Sequence, residues 1–91
     1  MYKIKSTSDG LIYIKASLIE RFKRATSLEG AKALGKPVII NVNHIGFLSH
    51  NLDGMVTFFL ANGFEISVNV FFDEAEQIYN SAKAGEVLEV K

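Results

Sequence analysis

The sequence predicts an α+β domain: an antiparallel β-sheet of about four to six strands, a C-terminal helix packed on it, and a short N-terminal helix. Three observations carry this. Residues 55–70 hold two strand-like runs joined by Asn62-Gly63, the dipeptide that most strongly signals a tight hairpin. From Asp73 onward, Ala75, Ile78, Tyr79 and Ala82 recur at helical spacing and form one apolar stripe. Ninety-one residues, 48% apolar and 22% charged, suffice for one small core, so residues 1–91 read as a single domain.

In chain order, Tyr2 to Lys5 and Leu11 to Lys15 alternate as two short strands around a Ser8-Asp9-Gly10 turn. Ser17 and Glu20 have capping-box spacing. Leu18, Ile19, Phe22 and Ala25 follow at helical intervals, which predicts a helix of about two turns with Arg21, Lys23 and Arg24 on its outer side. Residues 26–37 contain two glycines and the single proline and read as a loop, with one helical turn around Ala31 to Leu34. Val38 to Val42 is a β-branched strand that Asn43-His44 interrupts before Ile45 to Ser49, and Asp53-Gly54 is the next turn. Leu11 to Ile19 and Pro37 to Ile45 echo each other: each runs from an apolar strand into a polar turn that ends on Ile. Nine residues are too few to establish a repeat.

A two-residue loop at Asn62-Gly63 fixes an expected register. Ala61 then pairs with Phe64, Phe59 with Ile66, Thr57 with Val68 and Met55 with Val70, which makes one core face. The opposite face would hold Val56, Phe58 and Leu60 on one strand against Asn69, Ser67 and Glu65 on the other. A strand facing water does not expose three such residues together. Val56, Phe58 and Leu60 are therefore the candidate interface, covered by a second layer of the chain or by another subunit. Beyond the hairpin, Asp73 is the expected N-cap of a helix over 73–84, with Gly85 at its C′ position. Residues 86–91 alternate enough for a final edge strand, unless they fray.

Charge narrows the function classes. Ten basic and ten acidic residues balance overall, yet residues 1–36 hold eight cations against three acids, and residues 37–82 hold five acids and no Lys or Arg. Lys5, Arg21, Lys23 and Arg24 are accordingly the candidate nucleic-acid contacts. The six phenylalanines between 47 and 72 lie in the cation-free part, which disfavours a single-strand platform built from that segment and makes nucleic acid the alternative to a protein partner. Cysteine is absent, and the spacing of His44 and His50 matches no closed metal site, so no metal or cofactor is expected. No nucleophile elbow or Gly-rich phosphate loop occurs, and Asp73, Glu74 and Glu76 are explained by the helix start; a catalytic set is not expected. Asn41, Asn43 and His44 remain as the polar groups of a conceivable small-ligand pocket. No apolar run reaches the roughly 18 residues that span a bilayer, and no secretory leader is recognised, so the expected location is cytoplasmic.

Val38-Ile-Ile-Asn-Val-Asn-His-Ile45, then Val56 through the Asn62-Gly63 tip to Val68, then Asp73-Glu-Ala-Glu-Gln-Ile78, resembles the small flagellar FlbD-type (SwrD-like) bacterial family. Met1 to Lys5 through Gly10 to Glu20 is similar to the opening of the same pattern, with the stretch near 26–54 as an addition. The resemblance implies a motility-related protein without catalytic residues. A second likeness, to LytTR-type DNA-binding domains, lies in Ser27-Leu28-Glu29, Val42-Asn-His-Ile45 and the hairpin, although the strand just before it, Lys36 to Asn41, holds no Arg here. The leading expectation is a non-enzymatic protein-interaction module that self-associates as a homo-oligomer. The alternatives are a DNA-binding regulatory domain using the basic N-terminal third and a small-ligand binder.

Overall fold

A computed structural model describes residues 2–24, 36–52 and 54–91, with the side chain of Arg24 excluded. The predicted helical turn at Ala31 to Leu34 and most of the 26–37 loop lie outside the described residues. Among the described residues eight strands form two antiparallel four-stranded sheets. Sheet A is built from β1 (Ile4–Ser6), β2 (Leu11–Ile14), β4 (Val38–Asn41) and β8 (Leu88–Val90), in the order β4-β2-β1-β8. Sheet B is built from β3 (Ile19–Arg24), β5 (Ile45–His50), β6 (Val56–Leu60) and β7 (Phe64–Val68), in the order β3-β7-β6-β5. The helix α1 (Phe72–Lys83) buries Ala75, Ile78 and Ala82 and packs mainly on β1, β8 and β2. The α+β class is as expected, with two sheets in place of one.

The chain passes from sheet A to sheet B twice, each time through a three-residue 3-10 turn. Ala16–Leu18 joins β2 to β3, and Val42–His44 joins β4 to β5. Backbone angles agree at both ends: Lys15 (−68°, 145°) matches Asn41 (−79°, 125°), and Ile19 (−82°, 107°) matches Ile45 (−86°, 119°). Each isoleucine is buried, donates its N–H to the first carbonyl of its turn, and is followed by a β-bulge. The short echo between Leu11–Ile19 and Pro37–Ile45 is thus a shared structural unit. Its two copies deliver β3 and β5 to opposite edges of sheet B, so the β6–β7 hairpin is held between them.

The predicted N-terminal helix is corrected: Ile19–Arg24 is a strand. A helix of two turns has few internal hydrogen bonds to offset its nucleation cost. As β3, the same residues pair with β7 in a register that sets Phe22 beside Ile66 and Lys23 beside Glu65. The Phe22 ring stacks on Phe64 at 5.0 Å, and Lys23 reaches Glu65 at 4.0 Å. Tertiary pairing overrides the local capping pattern, and Ala25 lies outside the described residues.

The hairpin register is also corrected, by one residue. Val56 pairs with Val68, Thr57 with Ser67, Phe58 with Ile66 and Phe59 with Glu65. The loop therefore has three residues, Ala61-Asn62-Gly63. Gly63 alone takes the left-handed conformation (φ +89°), with its N–H donated to the Leu60 carbonyl at 3.1 Å. Asn62 stays at negative φ, and its Oδ1 accepts from Phe64 N–H at 3.2 Å. A two-residue type I′ turn would have needed positive φ at both central positions. A one-residue slip exchanges the faces of one strand relative to the other. Val56, Phe58, Ile66 and Val68 now share one face and are all buried, while Thr57, Phe59, Glu65 and Ser67 share the other. The half-apolar second face was a product of the wrong register.

The helix ends follow the sequence more closely. Phe71, not Asp73, is the N-cap. Glu74 accepts the Phe71 N–H at 3.1 Å, and Asp73 sits in the first turn, where its charge complements the dipole. At the other end Gly85 (φ +72°) donates to the Ala82 carbonyl and Glu86 to the Ser81 carbonyl, a Schellman motif at the expected glycine. The tail forms β8 against β1, and buried Ser6 fastens it: its Oγ donates to the Glu86 carbonyl and accepts from Leu88 N–H.

Candidate functional site: an apolar groove and a lysine-tyrosine face

A groove of about 270 Å³ opens where the edge strand β4 approaches the tip of the β6–β7 hairpin. Ile40 and Ile66 form its buried floor, Phe22, Leu60 and Phe64 its apolar wall, and Asn41, His44 and Asn62 a polar rim. The strands that frame it, β3 and β4, are consecutive in the chain, joined by residues 25–37. Ile39 stands on its margin at 57% exposure, large for an apolar side chain. Of the three polar residues expected to converge, Asn41 and His44 line the groove, whereas Asn43 is exposed and contributes its N–H to Asn41 Oδ1 at 2.9 Å. That bond caps the second 3-10 turn, so part of the Asn41 side chain has a structural task.

The candidate interface residues are placed differently from expectation. Val56 and Phe58 have no exposed surface, because the chain's own second layer covers them, and Leu60 is half-buried in the groove wall. No contact surface for a second copy can be built on Val56 and Phe58. The four candidate nucleic-acid contacts are also divided: Lys5 belongs to sheet A, whereas Arg21, Lys23 and Arg24 belong to the edge strand of sheet B. Lys23 is engaged with Glu65. Lys5 is thus on a different sheet from the other three.

A different cationic surface is assembled on the outer face of sheet A. The β1–β2 register sets Lys5 beside Tyr13, and Lys15 donates its backbone N–H to the Lys3 carbonyl at 3.2 Å, so Lys15 and Lys3 are cross-strand neighbours. The Lys5 ammonium lies 4.7 Å from the Tyr2 ring centre and 5.2 Å from that of Tyr13; the Lys15 ammonium lies 5.0 Å from Tyr2. Sharing one ring brings these two ammonium groups within roughly 10 Å, about a Debye length at 0.1 M salt. Glu89 faces Lys5 across β8, but among the described residues no carboxylate comes within ion-pair distance of Lys3, Lys5 or Lys15. Sequence reasoning passed over Tyr2, Lys3, Tyr13 and Lys15. A three-residue loop at Ser8-Asp9-Gly10 would have placed the last three beside Lys5 by alternation alone.

His44 and His50 have different surroundings: His44 borders the groove and His50 stacks on Phe72 at 5.9 Å. Among the described residues no group of three or more His, Asp or Glu side chains is disposed to hold a metal ion, and no helix is long and apolar enough to cross a membrane. No protein-family model, no curated protein and no solved structure matches the chain.

Proposed function

We propose that this chain is a non-enzymatic protein-interaction module that self-associates through the outer edge of β4, which pairs with no strand among the described residues, and the groove beside it. The observation that supports this reading is Ile39. It is more than half exposed on an edge strand, at the margin of an apolar groove. The hydrogen bond from Val42 N–H to the Gly10 carbonyl sets which residues of β4 bond to β2; by alternation the Ile39 N–H and C=O point to the outer edge. A second copy can add its own β4 antiparallel to this edge, a two-fold arrangement in which one patch meets itself. Sedimentation velocity tests this. Mass should rise above the monomer in the micromolar range, and Ile39→Lys should restore the monomer, with a melting temperature equal to that of the dilute, monomeric wild type. A wild-type monomer throughout that range overturns it.

The polar rim of Asn41, His44 and Asn62 favours a second reading, a small apolar ligand with one polar end. The volume, about 270 Å³, falls just below the roughly 300–1,000 Å³ of ordinary small-molecule sites, which makes an inserted side chain the better occupant. A motility role rests on the FlbD-type resemblance alone.

A further inference from the structure

We propose that the outer face of sheet A is a binding platform for single-stranded nucleic acid, with Lys3, Lys5 and Lys15 holding phosphates and Tyr2 and Tyr13 offering rings to the bases. Three features of this face carry the inference. The first is accumulation of charge: three lysines stand on adjacent strands, and among the described residues none has a carboxylate in ion-pair reach. Lys3 and Lys15 are like charges on cross-strand neighbours and repel, whereas Lys5 has Glu89 opposite it on β8, so the pull on an anion is strongest at the Lys3–Lys15 pair. The second is the interleaving of rings with cations, which distinguishes the face from a plain basic patch. In the free protein the Lys5 and Lys15 ammonium groups rest over the tyrosine rings. A phosphate chain draws them outward and leaves the ring faces for stacking, which every base can do. The third is shape: β1 and β2 are neighbouring strands of three and four residues, so lysines and rings cover roughly 10–13 Å along the strands, room for a short run of nucleotides.

An acidic polypeptide would satisfy the lysines and leave the rings without a role. An anionic membrane would call for several apolar side chains protruding among the lysines; the rings interleaved with them are the two half-buried tyrosines, and exposed Ile39 stands on β4, on the far side of Tyr13 from Lys5. Single-stranded nucleic acid uses both parts. The platform needs one copy of the chain, so it stands or falls independently of the β4 edge contact.

The test is fluorescence anisotropy of a labelled oligothymidylate of about 15 nucleotides with the full chain, across a salt series. Three phosphate contacts on a single strand give a slope of log K against log salt of about −2, a loss of roughly 15- to 20-fold between about 50 and 200 mM. Lys15→Gln should flatten the slope by about 0.7. Tyr13→Ala should weaken the single strand on the order of tenfold, with poly-glutamate binding unchanged and Tyr13→Leu failing to restore affinity. Circular dichroism melts establish that each variant is folded. Three results overturn the proposal: no binding at about 50 mM salt, wild-type affinity in folded Lys15→Gln and Tyr13→Ala, or equal or tighter binding to poly-glutamate or to phosphatidylserine vesicles. The last would assign the face to an acidic protein or a membrane.

Discussion

The outer face of sheet B meets its own needs. Lys23 lies against Glu65 at 4.0 Å, Phe47 stacks on Phe59 at 4.3 Å, and Asn51 donates to Thr57 Oγ1 at 2.7 Å, which in turn bonds Ser67 at 2.9 Å. Cation meets anion, ring meets ring, and hydroxyl meets hydroxyl across neighbouring strands. The outer face of sheet A is arranged otherwise. Lys3 and Lys15 are neighbours across two strands, and the ammonium groups of Lys5 and Lys15 share the Tyr2 ring. Both sheets fold from the same kind of alternating strand. One closes its pairings within the chain, whereas on the other two like charges stand as cross-strand neighbours. Repulsion of that kind marks a surface more directly than exposure does, because half-exposed apolar side chains are common on any protein.

The largest predicted effect contrasts the two sides of the hairpin. Phe58→Ala, on the inner side, should cost about 3–5 kcal/mol, since it empties a fully buried site. Phe59→Ala, one residue along and half-buried on the outer side, should cost only about 1 kcal/mol, mainly the stack with Phe47. Urea unfolding of both variants checks this, and a reversed order would restore the two-residue register. The loop gives a smaller contrast. Gly63→Ala should cost about 1–2 kcal/mol, because φ +89° crowds a Cβ, while Asn62→Ala should cost a few tenths through loss of a 3.2 Å contact. Equal costs would mean that both residues carry positive φ.

How much of this was legible in the sequence follows the range of each interaction. The Schellman glycine, the acids of the first helical turn and the apolar stripe of α1 depend on residues within one or two turns, and all could be read directly. The two 3-10 turns were visible as an echo, though their effect, carrying strands between sheets, depends on partners far along the chain. Ile19–Arg24 shows the converse: its local pattern is helical, and only β7, more than forty residues later, makes it a strand. The hairpin failed on a single residue. Asn62-Gly63 was read as a two-residue turn, and one step of register moved Phe58 from the candidate interface to the core. The warning was present in the sequence itself, since that register set Val56, Phe58 and Leu60 against polar partners and no others did. For the sheet A face, the strands and turn were recognised, but the cations were counted along the chain and not by face, so Lys5 was grouped with Arg21 and not with Lys15.

The smallest predicted effect is the most direct test of the difference between the faces: the salt dependence of stability in the free protein. Repulsion between lysines is screened by salt, whereas the attraction of Lys23 for Glu65 is weakened by it. Urea midpoints should be measured between about 20 and 200 mM sodium chloride for the wild type, Lys3→Gln/Lys15→Gln and Lys23→Gln. At low salt, removing the two sheet A lysines should stabilise the protein by a few tenths of a kcal/mol, up to about 1, with the gain fading as salt rises. Lys23→Gln should destabilise it slightly, and that loss should fade in the same way. The opposite signs on the two sheets are the predicted result. If both variants are destabilised at low salt, the sheet A lysines are already satisfied within the chain, and the contrast between the faces is wrong.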